Sequence, residues 1–78
     1  MKHWRVKIGN VERKCELVTA FVSSSFRLKL KFEDSIFMVE FKDRDNYLES
    51  RDGGWRSVKV YTVDKKVKKY GICRFSEF

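Results

Sequence analysis

The chain has 78 residues, 42% of them apolar, with seven Phe, three Tyr and two Trp, no proline and a net charge of +7. That apolar content excludes a disordered tail and suffices for one small core, close to the lower size at which a domain holds without staples. No apolar run reaches membrane length and no leader pattern precedes the first alternating segment. The expectation is therefore a cytoplasmic protein with no membrane partner, a processed secreted chain being the other source of such a sequence.

Residues 4–8 alternate, with Trp4, Val6 and Ile8 on one side and Arg5 and Lys7, preceded by His3, on the other. A period of two predicts a strand with one buried and one wet face. Gly9-Asn10 is a turn signal that leads into residues 11–23. In that segment Cys15, Leu17, Thr19 and Phe21 share one face while Val18, Ala20 and Val22 line the other. Apolar residues on both faces predict either a strand covered on both sides or a bulge or bend that switches its buried face. Periodicity alone also admits a helix over residues 11–22, against which the β-branched and aromatic content weighs. Ser23-Ser24-Ser25 reads as a short polar connector.

Residues 26–42 carry the strongest pattern. Phe26, Leu28, Leu30 and Phe32 alternate with Arg27, Lys29 and Lys31, and the alternation resumes at Phe37, Val39 and Phe41. A turn at Asp34-Ser35 would set Phe32 against Phe37, Leu30 against Val39, and Lys29 against Glu40, a favourable cross-strand pair. Slipping by one residue would oppose core and solvent positions, so the faces are well specified. For residues 43–54 two readings compete. Asp43 caps a short helix that stops at Gly53, or residues 47–50 form a strand that turns at Asp52-Gly53 into Trp55 and sets Glu49 against Arg56. Asp-Gly between β-rich segments favours the hairpin. Residues 55–63 place Val58, Val60 and Thr62 opposite Ser57, Lys59 and Tyr61. Asp64-Lys65-Lys66 turns into a last strand over residues 69–75, with residues 76–78 as a tail. The sum is one all-β domain over residues 1–78. It is a small antiparallel barrel or sandwich of five or six strands, SH3- or OB-like in scale.

Enzyme chemistry finds little support. The one histidine, His3, sits near a chain end, where a catalytic base held by a third group is poorly placed. Phosphate-loop and dinucleotide motifs are absent. Cys15 and Cys73 match no metal-ligand or redox spacing; they read as reduced strand residues, with a Cys15–Cys73 disulfide in an oxidising compartment as the minority reading. The carboxylates Asp43, Asp45, Glu49 and Asp52 are interleaved with Arg44 and Arg51 and read as a solvated loop. Neither a catalytic site, a metal, a cofactor nor a small-molecule substrate is expected.

Charge is the informative feature. Residues 1–32 carry +6, residues 33–52 carry −4 and residues 53–78 carry +5. Such segregation points to one positive face. Arg5, Lys7, Arg27, Lys29, Lys31 and Lys59 alternate outward on predicted strands, Lys65, Lys66, Lys68 and Lys69 cluster at a turn, and Trp55, Tyr61 and Tyr70 are aromatics on or near that surface. Cations that track phosphates, beside rings that stack on bases, are how small barrels hold single-stranded nucleic acid. The expectation is a basic binding module whose interface comprises those ten cations and Tyr61. The rival expectation is a protein-binding module, or a small inhibitor of the kind made by phages and mobile elements. Such a module docks on an acidic surface of a larger protein through the charged face or a free sheet edge. A third reading is a secreted effector-like sandwich stapled by its two cysteines.

Overall fold

The computed structural model describes residues 2–23 and 25–77; Ser24 of the connector and Phe78 of the tail lie outside the described residues. The strands are β1 (His3–Ile8), β2 (Val11–Phe21), β3 (Arg27–Phe32), β4 (Ser35–Phe41), β5 (Arg56–Thr62) and β6 (Lys68–Ser76), with one helix, α1 (Arg44–Arg51), between β4 and β5. Each strand pairs antiparallel with the next, and β6 pairs with β1, so the sheet closes as a six-stranded meander barrel. Closure leaves no unpaired sheet edge among the described residues.

The inward positions are those the alternation predicts. Trp4, Val6, Leu28, Leu30, Val39, Phe41, Val58 and Val60 form the core with Cys15 and Cys73. The buried side chains of β3 and β4 interleave because both strands keep the same phase. Their register differs from the expected one by two residues. Leu28 faces Val39, Leu30 faces Phe37 and Phe32 faces Ser35, around a loop of Glu33-Asp34 in which Glu33 adopts φ 55°. Two-residue loops with positive φ match the strand twist, which ordinary type I and II turns do not, and a two-residue slip preserves both faces. The polar pairs change in consequence: Arg27, not Lys29, lies opposite Glu40.

In β2 the pairing shifts between Leu17 and Thr19, so the segment bulges as its two apolar faces require. The alternative of cover on both sides is not realised. Cys15 is the buried residue of this strand, and Leu17, Val18 and Phe21 are exposed.

Residues 44–51 are helical, which corrects the hairpin reading. Asp43, in extended conformation, accepts a hydrogen bond from the Asn46 backbone N–H at 2.9 Å, and Asp45 and Arg51 suit the two ends of the helix dipole. At the other end the Gly54 N–H bonds to Glu49 O and the Gly53 N–H to Ser50 O, with Gly53 at φ 103°. This is a Schellman cap. A helix cap and a tight hairpin both ask for glycine at positive φ, so Asp-Gly alone does not separate them. The Glu49–Arg56 ion pair anticipated across the hairpin forms between the helix and β5 instead.

The helix plugs one end of the barrel. Tyr47 packs against Trp4, Phe26 and Phe41, with ring centroids 5.5–6.5 Å apart, and Trp4 meets Phe75 edge-on at 5.3 Å. Ser50, fully buried, donates its hydroxyl to the Cys73 carbonyl at 2.6 Å. Among the described residues no such plug covers the opposite end, which opens into a cavity of about 370 Å³. Both cysteines are free and buried, so the disulfide reading is not realised. No described helix is long and apolar enough to cross a membrane.

Candidate nucleic-acid interface

Register assembles the site. Across the outside of the barrel, Phe21 lies opposite Arg27, Arg27 opposite Glu40, Glu40 opposite Lys59, and Lys59 opposite Tyr70. The neighbouring row runs Thr19, Lys29, Met38, Tyr61, Lys68. Side chains two apart on a strand share a face, so both rows present one surface. With strands about 4.8 Å apart, Phe21 and Tyr70 stand roughly 19 Å from each other at the two ends of the first row. Three adjoining depressions lie along this surface. One is lined by Phe21, Lys29, Met38 and Val63; the next, sharing Arg27, Tyr61 and Lys65 with it, by Lys68; the third, sharing Glu40 and Lys59 with the second, by Lys42 and Tyr70.

The charge of this groove is strongly one-sided. Its lining holds Arg27, Lys29, Lys42, Lys59, Lys65 and Lys68 against the single carboxylate of Glu40. Arg27 rests against the Tyr61 hydroxyl, which raises the guanidinium further above its ordinary pKa, and donates from Nε to Ser25 Oγ at 2.8 Å. None of the six cations belongs to the ion pairs Arg5–Glu12 and Arg56–Glu49. Lys65 is held in position by a built turn. Its N–H bonds to Thr62 O at 2.8 Å. Asp64 accepts from the Thr62 hydroxyl at 2.6 Å and the Lys66 N–H at 3.1 Å, bonds that hold the Asp64 carboxyl below its ordinary pKa.

Of the residues singled out by sequence, Arg27, Lys29, Lys59, Tyr61, Lys65 and Lys68 come together here. The others do not join a single stripe, because outward side chains of a closed barrel point around its whole circumference. Arg5 and Lys7 lie on β1, three strands from β4 in either direction, and Arg5 is ion-paired with Glu12. Lys31 faces Glu16 and Ile36 one row beyond the groove. Lys66 sits in the β5–β6 turn. Lys69 lines the open end of the barrel, among core-facing side chains.

Tyr61 also has a different place from the one its alternation suggests. It is only 8% exposed and donates its hydroxyl to Glu40 at 3.5 Å, so it is the floor of the groove and not a stacking platform. Trp55 is half-buried with the Arg74 guanidinium 5.2 Å above its ring. The open rings are Tyr70, 70% exposed, and Phe21, 40% exposed. Sequence patterning assigned Phe21 to a strand face with no binding role, and Lys42 to the end of a hairpin. The acidic segment is drawn away from the groove: Asp43 caps α1 and Glu33-Asp34 form the β3–β4 loop, leaving Glu40 alone among the cations.

Comparison of the chain with family models, with curated proteins and with solved structures finds no match.

Proposed function

We propose that this protein is a small binding module that holds single-stranded nucleic acid across the β3–β6 face. The observation that carries the reading is the groove itself: six cations, one carboxylate, and an exposed aromatic ring at either end. Cations spaced along a trough follow a phosphate backbone, and exposed rings accept bases at about 1–3 kcal/mol for each one stacked. Four phosphate contacts would make the logarithm of affinity fall with the logarithm of salt at a slope of about −3.

The test is titration of labelled oligothymidylate, duplex DNA and heparin at low and moderate salt. Lys59→Glu with Lys68→Glu is expected to weaken single-strand binding at least tenfold, whereas Lys7→Glu with Lys14→Glu, on the far side, changes it little. Tyr70→Ala weakens oligothymidylate and leaves heparin unchanged, since heparin has no bases to stack. Absence of oligonucleotide binding at low salt would refute the proposal.

A second reading, docking on a larger protein, is favoured by Leu17, Val18, Phe21 and Val22, which stand exposed along β2 and just beyond it. With the barrel closed, such docking uses side-chain surface, not strand pairing. Phe21 belongs to both surfaces, so Val18→Lys separates them: it leaves oligonucleotide affinity intact and impairs only protein docking.

A further inference from the structure

The open end of the barrel is a second, separate concavity. Val6 and Val60 form its floor and Ile8 and Phe37 its walls, enclosing about 370 Å³, within the size range of small-ligand sites. In small barrels this space is ordinarily filled by side chains, as the aromatic plug fills the other end here. Two cations stand where the alternation of the strands calls for apolar residues. Arg13 follows Val11 and precedes Cys15 on the inward side of β2. Lys69 pairs with the inward Val60 on β6. The Arg13 guanidinium carbon lies over the Phe32 ring, 4.9 Å from its centroid. A guanidinium carries five N–H donors in a planar fork that can serve an acceptor. Neither cation belongs to an ion pair among the described residues. Ser35 adds a hydroxyl to the same lining.

We infer that the open end of the barrel binds an organic anion with an apolar body and a single carboxylate head, the body seated on Val6 and Val60 and the head held by Arg13 and Lys69. An apolar floor with two unneutralised cations at its rim is complementary to that class, and to neither a neutral lipid nor an inorganic anion. Long basic side chains at a rim can also simply reach into water. That reading differs in its consequences, because it gives the cations no part in ligand affinity.

The experiment titrates the full chain with decanoate, below its micelle concentration, and follows the methyl resonances of Val6, Ile8 and Val60. The expected result is saturable shifts at these methyls, at least tenfold weaker binding for decanol, and a similar loss for Arg13→Gln and, separately, for Lys69→Gln. Two variants are used so that a folding defect in one leaves the other informative. An added oligonucleotide is expected not to compete, since the groove lies on another face. The inference is overturned if decanol and decanoate bind equally, if both variants bind as the parent does, or if the shifts are absent or fall on Val18, Val22 and Val63 instead.

Discussion

Cys15 and Cys73 illustrate how far single residues are controlled by their depth. They sit on the inward faces of β2 and β6, opposite Trp4 and Val6 of the strand between them, and neither is exposed. Burial pushes the Cys15 thiol up to about 11 from an ordinary 9.0, partly offset by Arg13, and raises Cys73 as well. Thiolate is the reactive form, so both thiols are expected to resist an alkylating reagent at pH 8 until the barrel opens, roughly 100-fold more slowly than in denaturant. The same displacement sets a pH dependence. The unfolded chain loses its thiol protons first, so stability is full below pH 9 and declines as pH rises toward 11. Rapid labelling of either cysteine in the folded protein, followed by intact mass, would contradict this placement. Period-two alternation identified the inward residues Trp4, Val6, Leu28, Leu30, Val39, Val58 and Val60 because side is what alternation encodes. It did not identify Tyr61 as buried or Lys69 as cavity-lining, because depth depends on neighbours across the sheet and on which end of the barrel is plugged.

Elements were legible to the extent that one local signal had one structural use. The cleanly alternating strands came through because no helix shares a period of two, whereas residues 11–22, apolar on both faces, leaned to a strand only through their β-branched and aromatic content. The Asp-Gly pair did not come through, because a left-handed glycine serves a hairpin turn and a helix cap alike, and the choice is made by Tyr47 reaching the rings of Trp4, Phe26 and Phe41. The β3–β4 register was legible only modulo two, and the remaining ambiguity was functional: it moved Arg27 opposite Glu40 and into the groove. Closure of the barrel depends on a residue that pattern reading passed over. At Gly71 a Cβ would stand 2.4 Å from the Lys7 carbonyl oxygen and 3.0 Å from the Ile8 side chain. Gly71→Ala must therefore push β6 away from β1. The expected cost is about 1–3 kcal/mol, the usual range for overpacking, measured as a lowered midpoint in urea unfolding. Gly9→Ala is the contrasting variant: the added carbon would meet nothing, and the penalty arises from its φ of 60° alone. A Gly71→Ala protein as stable as the parent would mean that the β1–β6 seam is looser than described.

At the scale of the whole molecule, charge is sorted by the fold. The net-negative segment of residues 33–52 supplies the loop between β3 and β4, β4 itself and the helix at the plugged end, while the basic flanks supply the other five strands. The uneven charge raised the expectation of one positive face. Which of the ten cations lie together was not readable, because a closed barrel distributes outward residues over all directions and only strand order brings β3, β5 and β6 to the same side. The central claim is therefore a claim about location. Its most direct test is a chemical-shift map of backbone amides during titration with a short oligothymidylate at low salt. The account predicts perturbations concentrated at Phe21, Arg27, Lys29, Lys59, Lys65, Lys68 and Tyr70, with β1 unaffected. Perturbations centred on Arg5, Lys7 and Lys14, or none at all, would contradict it.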